Sequence, residues 1–504
     1  MERRLAVVDL GSNSFRLVVF TAGGGWWRRI DEIHEPVRIG EGQPLGGDLR
    51  PEPARRALAT LELFAHFTRA TGLGTDEVDA VATSAIRQAS NREAFLARAR
   101  EHLPVRVLAE EDEARYGHLA AVNSTTLDDG AVLDLGGGSL QLVRVKRREA
   151  RKLRSWPLGA VRMTERFLPG DAPAPKKAVR ALREHVAAEV ADAGWIGNGG
   201  RLVGIGGTVR NLAVAAQHAL GLPTFGVQGF LLTREVLDEL VVRLAAVAPS
   251  ERAKEVAGIK PQRADVILAG AVAIQGVLEA GGYDGVEVTE AGLREGVFFE
   301  RHLAPMGLFE DVRHDSVRNL HAQHGGGDDR HVEHVARLAL QMFDELAQAG
   351  AHAGDPAERE LLWAAAMLHD IGTRVDYDDH HKHSRYLILN AGLPGWSQRE
   401  IALVAQMARY HRKGSPGLDD LAPLAVKGDR ELVARGSALL RLAEQLERSR
   451  DQLVRAARVR VENGAVELRL EGSGDVSLAK WAAERETELF ERTFDRTLAI
   501  VHAT

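Results

Sequence analysis

The chain has 504 residues, of which 45% are hydrophobic and 27% are charged, and it contains no cysteine. One hydrophobic core rarely serves a chain of this length, so we expect several domains. The lack of cysteine excludes disulfides, cysteine-ligated zinc and thiol catalysis, and it fits a cytoplasmic location. The formal net charge of −6 argues against a specific nucleic-acid partner. We expect no membrane span and no signal peptide, because no apolar stretch has the required length or layout.

The most informative pattern is an internal repeat near the start of the chain. Residues 5–20 and 131–145 each contain an apolar run, a turn rich in Gly and Ser, and a second apolar run, with Asp9 aligned on Asp134. This pattern predicts two β-hairpins. The N–H groups of such a turn suit phosphate oxygens, and an Asp beside it can bind a cation. The alternative is a pair of purely structural hairpins in which Asp is a turn residue.

Helical and strand patterns alternate after each hairpin. The predicted helices are 54–70, 92–102, 176–193, 233–247 and 264–280, and the predicted strands are 78–82, 105–109, 201–205 and 285–289. Two successive halves of this kind predict two α/β domains that face each other. A third glycine-rich strand end, at residues 204–208, adds to the case for phosphate binding.

From about residue 305 onward, strand patterns disappear and histidine becomes frequent. A glycine-rich break at 325–329 precedes residues 331–450, which follow a mostly helical pattern. Two strand-like runs, 458–461 and 466–470, are followed by a predicted helix over 478–500. The C-terminal part is therefore predicted to be a small β-β-α unit.

An acidic cluster, Glu110 to Glu113, opens a helical pattern between the two hairpins. Carboxylates in a first helical turn favour the helix dipole, which is the structural interpretation. A carboxylate in a cleft between the hairpins could instead deprotonate a water molecule that attacks a terminal phosphate.

Six motifs then follow one another in a set order: Asp9-Leu10-Gly11-Ser12-Asn13-Ser14-Phe15, Ala82-Thr83-Ser84-Ala85-Ile86-Arg87, Glu113-Ala114-Arg115, Asp134-Leu135-Gly136-Gly137-Gly138-Ser139, Gly206-Gly207-Thr208 and Leu293-Arg294-Glu295-Gly296. The set resembles the exopolyphosphatase and guanosine pentaphosphate phosphatase family, which belongs to the superfamily of sugar kinases, actin and heat-shock ATPases. The resemblance implies two actin-like (ribonuclease H-like) α/β domains over 1–125 and 126–304. An all-helical HD-like domain over 305–453 and a small α+β unit over 454–504 would follow.

The resemblance also implies roles for single residues. Glu113 matches the catalytic carboxylate, and Arg87 matches an Arg that faces the phosphate. Asp134 matches a magnesium-linked acidic residue, and Asp9 its partner in the first turn. The residues expected around phosphate oxygens are Asn13, Ser14, Gly137, Gly138, Ser139, Gly207 and Thr208. Mg²⁺ or another divalent cation is the implied cofactor, with K⁺ as a further candidate, and the implied assembly is a homodimer.

One position departs from the family pattern. The family often has Thr-Glu after the Gly-Gly-Gly-Ser turn, whereas this chain has Leu140-Gln141. Gln lacks the negative charge of Glu, which leaves the coordination of the metal open.

The helical part contains a second constellation, His331, His369-Asp370, His383 and His411. It resembles the signature of HD-domain metal phosphohydrolases, with Glu444 where the last Asp is usual. The resemblance implies a candidate second metal site at His331, His369, Asp370 and Glu444. The alternative is a helical bundle that keeps a remnant His-Asp pair for packing.

Two substrates and two other protein classes stay open. Inorganic polyphosphate is favoured, because basic segments at 144–154, 380–383 and 409–413 offer charge along a path, although a solvated charged turn also explains the first of them. Guanosine pentaphosphate is the alternative substrate, and both activities on one site are a further alternative. An ATP-dependent kinase or ATPase of the same superfamily, or a non-catalytic sensor of these ligands, would use the same hairpins.

Overall fold

A computed structural model describes residues 2–44, 46–197, 199–303, 307–324, 329–462 and 464–502. The chain divides into two compact units, Met1–Val312 and Arg313–Thr504. The expected boundary at 304/305 and residues 325–328 of the expected glycine-rich break lie outside the described residues. None of the described helices is both long and apolar enough to cross a membrane.

The first unit opens with a five-stranded sheet. Its strands are β1 (Arg3–Leu10), β2 (Phe15–Gly23), β3 (Trp26–Glu35), β4 (Val78–Ala82) and β5 (Val105–Val107), in the order β3-β2-β1-β4-β5. The helices that accompany it are α1 (Pro51–Ala70), α2 (Ser84–Gln88) and α3 (Arg92–Ala99). The apolar side chains of α1 and α3 pack with those of β1, β2 and β4 in one core.

A six-stranded sheet forms the second half of this unit. Its strands are β6 (Gly130–Leu135), β7 (Leu140–Lys146), β8 (Glu149–Trp156), β9 (Leu202–Ile205), β10 (Phe230–Thr233) and β11 (Gly285–Val288), in the order β10-β11-β9-β6-β7-β8. The helices are α4 (Glu110–Val122), α5 (Ala160–Phe167), α6 (Lys176–Ala191), α7 (Gly207–Ala219), α8 (Arg234–Ala245), α9 (Arg252–Glu255), α10 (Ile267–Gly281) and α11 (Leu293–His302).

The sequence repeat is a structural repeat. The strands β1 and β2 pair in antiparallel register with Asp9 opposite Arg16, and β6 and β7 pair in the same way with Asp134 opposite Gln141. Each first strand also pairs in parallel with a strand that follows a helical crossover, β1 with β4 and β6 with β9. The offset of 125 residues that aligns the Asp residues also aligns Arg16 with Gln141 (141 − 16 = 125).

The second unit is mostly helical. Its helices are α12 (Val312–His324), α13 (Asp329–Gln348), α14 (Pro356–Leu368), α15 (His380–Ala391), α16 (Gln398–Arg409) and α17 (Asp429–Leu446). The unit ends with β12 (Val454–Glu462), β13 (Ala465–Gly472), α18 (Ser477–Glu484), α19 (Thr487–Phe494) and β14 (Thr497–His502).

The predicted single helix over 478–500 is wrong. Asp495 has a φ of 53°, in the left-handed region, and it ends α19. Leu498 and Ile500 then alternate as buried residues on β14, which pairs in parallel with β13. The C-terminal part is therefore a three-stranded sheet with two short helices, because a period-two apolar pattern replaces the helical one after Asp495.

Candidate active site

The two hairpin turns, residues 11–14 and 136–139, approach each other in the first unit. A Cβ atom placed on Gly137 would lie 3.4 Å from the Cβ of Ser12 and 3.5 Å from that of Asn13. A Cβ on Gly138 would lie 2.8 Å from Ser84 Oγ. A side chain at Gly138 would therefore displace the Ser84 hydroxyl, whereas at Gly137 these two contacts would be ordinary van der Waals distances.

The second turn is held by α5. The carbonyl oxygens of Gly136 and Gly137 accept hydrogen bonds of 3.0 Å from the N–H groups of Ala160 and Val161, at the start of that helix. In a trans peptide the C=O and the following N–H point in opposite directions. The N–H groups of Gly137 and Gly138 are therefore turned away from α5, and the turn can present them to an anion.

A cavity of about 140 Å³ lies between the two turns. Elements from both halves of the unit line it with carboxylates, hydroxyls, glycine backbone and arginines. The residues of the predicted site that line it are Asp9, Asn13, Ser14, Glu113, Asp134, Gly137, Ser139, Gly207 and Thr208. Sequence motifs separated by nearly 200 residues are thus brought to one place.

Glu113 lies in the first turn of α4 and its side chain reaches the cavity, although the residue is only 8% exposed. Arg87 Nη1 donates to Glu113 Oε2 at 2.7 Å and to the carbonyl oxygen of Leu108 at 3.0 Å. Burial raises the pKa of Glu113, and the charge and hydrogen bond of Arg87 oppose that rise. Glu113 is thus a carboxylate with a raised proton affinity in a cleft, as a general base needs.

Two further carboxylates, Asp9 and Asp134, each lie one residue before the end of the first strand of a hairpin. Burial raises the pKa of Asp134 to about 7, and the negative charges of Glu113 and Asp9 add to this. Burial also raises the pKa of Asp9, although Arg294 opposes the rise from 3.5 Å. Because these carboxylates repel one another, positive charge in the cavity stabilises their ionised forms.

Gln141 lies opposite Asp134 on β7 and lines the same cavity. It is 2% exposed, and neither its Oε1 nor its Nε2 has a hydrogen-bond partner among the described residues. A buried amide without a partner costs free energy unless a ligand or water satisfies it. The residue that departs from the family pattern is therefore positioned to contact something bound in the cavity.

Four arginines, Arg16, Arg210, Arg263 and Arg294, line the cavity from different elements. Burial lowers the pKa of Arg16 to about 10, and the charges of Arg294 and Arg210 contribute. Burial likewise lowers the pKa of Arg263 to about 10, with contributions from Arg210 and Arg294. Concentrated like charges in a cleft attract a polyanion.

Two predicted site residues lie elsewhere. Arg87 is not among the residues that line the cavity, and its guanidinium contacts Glu113, which does line it. Gly138 lies on a neighbouring cavity of about 20 Å³, against Ser12 and Ser84. The contacts of Arg87 and Gly138 with phosphate stay predictions.

The arginine cluster was missing from the predicted site. Two signals pointed to it: Arg16 follows the first motif on the strand face opposite Phe15, and Arg294 belongs to the last motif. Arg210 follows the Gly206-Gly207-Thr208 turn by two positions, and Arg263 ends a short 3₁₀ turn, Pro261–Arg263. Nothing in the local pattern distinguishes Arg263 from a surface arginine.

The basic segment at 144–154 has structural partners. Arg148 donates to the carbonyl oxygens of Phe309 and Val122, and Arg144 to that of Trp195. Arg154 pairs with Asp192 at 3.2 Å. These contacts favour the structural interpretation of this segment.

The second unit contains a separate cluster of histidines and carboxylates. His331, His369, Asp370 and Glu444 have ligand-capable atoms within 4.8 Å of one another, and so do Asp370, His380 and His411. His380, at the start of α15, takes the place predicted for His383. Burial opposes protonation of His369, but Asp370 and Glu444 raise its pKa to about 9, and its Nε2 lies 3.1 Å from Glu444 Oε2.

Comparison with known proteins identifies the chain. The model of the Ppx/GppA phosphatase family matches residues 18–304, which is more than half of the sequence. The chain belongs to the Ppx/GppA phosphatase family. The model of domain III of these phosphatases matches residues 312–488. The protein is accordingly a hydrolase with actin-like α/β domains and a separate third domain, which confirms the predicted fold class and family.

Solved Ppx/GppA structures agree with this assignment. The family member of Aquifex aeolicus is 30% identical, with a TM-score of 0.52 over 60% of this chain and 98% of its own. A second structure of the Aquifex aeolicus Ppx-GppA enzyme is 31% identical, with a TM-score of 0.51 over 59% and 99% of the two chains. An exopolyphosphatase of Cytophaga hutchinsonii has the same fold, at 23% identity and a TM-score of 0.55 over 61% and 100%.

Proposed function

We propose that this Ppx/GppA protein is an exopolyphosphatase that hydrolyses the terminal phosphoanhydride of inorganic polyphosphate and releases orthophosphate. The proposal rests on one observation: Glu113, the two hairpin turns with their backbone N–H groups and four arginines line one cavity. A carboxylate of raised pKa can take a proton from water, and the turns and arginines suit a multiply charged phosphate chain.

The reaction would use the residues as follows. The turns at 11–14 and 136–139 and the side chain of Thr208 would hold the terminal phosphate, and Glu113 would accept a proton from a water molecule. The oxygen of that water would attack the terminal phosphorus as the bridging P–O bond breaks, and the shortened chain would leave with the bridging oxygen. Arg16, Arg210 and Arg294 would oppose the negative charge on the chain and the leaving group.

The carboxylates of the cavity fit a divalent cation that takes only part of its coordination shell from the protein. Among the described residues, the compact sets of metal-ligating side chains lie in the second unit. Asp9, Glu113 and Asp134 do not form such a set. Mg²⁺ usually binds through one or two carboxylates, with water and substrate phosphates completing its shell. Asp9, Asp134 and the amide oxygen of Gln141 would hold it, and it would supply charge neutralisation at the phosphate. A K⁺ site has no assigned residues.

A second cavity supports a polymeric substrate. It measures about 550 Å³ and shares Arg16, Gly207, Arg210 and Arg263 with the first. Arg29 and Lys260 bring its basic side chains to five, against the acidic Glu32 and Glu290, and Glu32 pairs with Arg16 and Arg29 at 3.1 Å. No Phe, Tyr or Trp belongs to the described residues that line it. A purine is usually bound by stacking on an aromatic ring, whereas a phosphate chain needs only a path of cations.

Turnover of several substrates by matched variants tests the proposal. Wild-type protein, Glu113→Gln and the control Glu111→Gln, which changes an exposed carboxylate of the same helical turn, would be supplied with long-chain polyphosphate, guanosine pentaphosphate or ATP in Mg²⁺. We expect the highest kcat/KM on polyphosphate, and a loss of about 10²- to 10⁴-fold for Glu113→Gln alone. Equal activity of both variants would show that the base is assigned wrongly.

The same experiment separates the alternatives. A higher kcat/KM for guanosine pentaphosphate would make that phosphohydrolase reaction the main activity of the site. ATP turnover that is insensitive to Glu113→Gln would favour the kinase-like class, and tight binding with no phosphate release would favour a sensor. A cytoplasmic homodimer is proposed from the resemblance, and light scattering of the purified chain tests the dimer.

A further inference from the structure

The second cavity contains an acidic residue on the proposed path of the phosphate chain. Glu32, on β3, lines this cavity of about 550 Å³ together with five basic side chains. Its side chain is 27% exposed, so a ligand in the cavity can reach it. A carboxylate repels a polyanion, and Glu32 therefore acts against the binding that the basic side chains favour.

The strand register connects Glu32 with the first cavity. Asp9 on β1 lies opposite Arg16 on β2, and Arg16 lies opposite His34 on β3. Residues directly opposite each other share one face of a sheet, and Glu32 shares the face of His34 because side chains two positions apart point to the same side. Asp9 lines the first cavity, Glu32 the second, and Arg16 both. A ligand that extends from one cavity into the other therefore passes Arg16 and Glu32.

Both carboxylate oxygens of Glu32 accept hydrogen bonds from arginines. Arg16 Nη1 donates to Oε1 and Arg29 Nη1 donates to Oε2, each at 3.1 Å. A guanidinium group binds carboxylate and phosphate oxygens through the same N–H groups. A phosphate that binds between these two arginines must therefore displace the Glu32 carboxylate from them.

Glu290, the other acidic residue that lines this cavity, has contacts of a different kind. Its Oε1 accepts a hydrogen bond of 2.9 Å from the N–H group of Val227, and its carbonyl oxygen accepts one from Arg210. These contacts hold the backbone that surrounds the cavity. Of the two carboxylates, Glu32 is therefore the one that competes directly with a phosphate for arginine side chains.

The cavity keeps a positive charge in spite of Glu32. Burial and the charges of Arg16 and Arg263 lower the pKa of His34 to about 4, so this imidazole is neutral at neutral pH. The five basic and two acidic side chains that line the cavity then leave an excess of three positive charges. Burial acts to raise the pKa of Glu32, but the surrounding arginines, Arg16 foremost, hold it below its ordinary value. Glu32 is thus an ionised carboxylate in a cavity that still attracts a polyanion.

We infer that Glu32 is a specificity-determining residue, a counterion that a phosphate chain displaces from Arg16 and Arg29 when it enters the second cavity. The inference rests on the proposed function, since it takes polyphosphate as the ligand. Displacement costs free energy for a chain that spans both cavities, but not for an orthophosphate ion in the first. Glu32 thus narrows the difference in affinity between long and short ligands, and it speeds the release of the shortened chain.

Ligand binding to matched variants tests the inference. Long-chain polyphosphate and orthophosphate would be titrated calorimetrically, without Mg²⁺, into full-length Glu113→Gln protein with and without Glu32→Gln. We expect Glu32→Gln to lower the Kd for long-chain polyphosphate by about 3- to 30-fold at low salt, and by less at high salt. The control Asp31→Asn removes the same charge from the neighbouring, exposed position, whose side chain points to the other face of β3. Binding of orthophosphate should change no more in Glu32→Gln than in this control.

The direction of the change makes the result decisive, because misfolding does not produce tighter binding. Glu32→Ser also removes the charge and should act in the same direction as Glu32→Gln. Unchanged or weaker binding of long chains by both variants would overturn the inference, even if the wild type releases phosphate from polyphosphate. Tighter binding by both variants would support it, and a wild type that then releases no phosphate from polyphosphate would overturn the proposed function alone.

Discussion

Arg87 and Glu113 form a partly buried ion pair, with Arg87 Nη1 2.7 Å from Glu113 Oε2. The arginine holds the carboxylate at the edge of the cavity and lowers its pKa, whereas burial raises that pKa. We propose that Arg87 is a positioning residue that sets both the direction and the proton affinity of the proposed base.

Replacement of Arg87 should change the pH dependence of phosphate release. Glu113 acts as a base only when it is deprotonated, so activity is lost as the pH falls through its pKa. Arg87→Met removes the influence that lowers this pKa, and the acidic limb of the kcat/KM profile should move to higher pH. Arg87→Lys retains a positive charge and should shift the limb less.

The shape of the profile separates this role from simple misfolding. In Arg87→Met, part of the lost activity should return as the pH rises, since Glu113 then regains its charge. An acidic limb that stays in place, with activity lowered equally at every pH, would contradict the assignment. Circular dichroism of both variants at the lowest pH used provides the control for folding.

Repulsion within the arginine cluster should lower the free energy of unfolding of the ligand-free protein. Arg263 is repelled by Arg210 and Arg294, so Arg263→Met should raise the free energy of unfolding by roughly 0.5–2 kcal/mol. The same change should raise the KM for polyphosphate. In the wild type, tripolyphosphate at 100 times its Kd should stabilise the fold by about 2.7 kcal/mol, and in the variant by less at equal concentration.

Thermal unfolding at several salt concentrations checks this prediction. The advantage of Arg263→Met over the wild type should shrink as salt screens the repulsion. A variant that is less stable than the wild type in low salt without ligand would contradict it. Arg55→Met changes an exposed arginine on α1 and serves as the control.

Gly296 should be intolerant of any side chain. It lies on α11, and a Cβ atom there would be 2.0 Å from the backbone carbonyl oxygen of Tyr116 on α4. Because the obstacle is backbone, Gly296→Ala would force the two helices apart and destabilise the fold by about 1–3 kcal/mol. Chemical denaturation measures this loss, and Gly307→Ala, where the nearest atom lies 3.6 Å away but φ is +69°, provides a comparison for backbone strain alone.

The parts of the fold that the sequence predicts are those with local patterns. The repeated hairpins are visible because apolar runs flank each Gly/Ser turn, and α10 is visible as a long apolar segment. The strands β3 and β8 were missed because they are sheet edges rich in charged residues, such as Arg28, Arg29 and Lys152. A charged edge strand has the composition of an exposed loop.

The site was predictable only where a residue belongs to a turn or a motif. Asp9, Asp134 and Glu113 occupy motif positions, whereas Arg210 and Arg263 reach the cavity from a helix and a 3₁₀ turn of the second half. Their convergence depends on the packing of the two halves, which no local pattern encodes. The direction in which the Arg87 side chain points likewise depends on Glu113, which is distant in sequence.

Gln141 should set the affinity of the proposed magnesium site. It faces Asp134 across the hairpin, is 2% exposed and has no hydrogen-bond partner among the described residues. Gln141→Glu would place a second carboxylate beside Asp134, so the Mg²⁺ concentration for half-maximal activity should fall at pH 8. Without the cation, the added repulsion between the two carboxylates should lower the melting temperature.

Two comparisons make the Gln141 result decisive. Gln141→Met keeps the volume but removes the amide oxygen, so it should raise the half-maximal Mg²⁺ concentration while leaving the fold intact. Melting curves of Gln141→Glu with and without Mg²⁺ should diverge more than those of the wild type, because only the bound cation relieves the repulsion. If Glu, Gln and Met at this position give the same Mg²⁺ dependence, the side chain does not contact the cation, and Asp9 and Asp134 remain its proposed protein ligands.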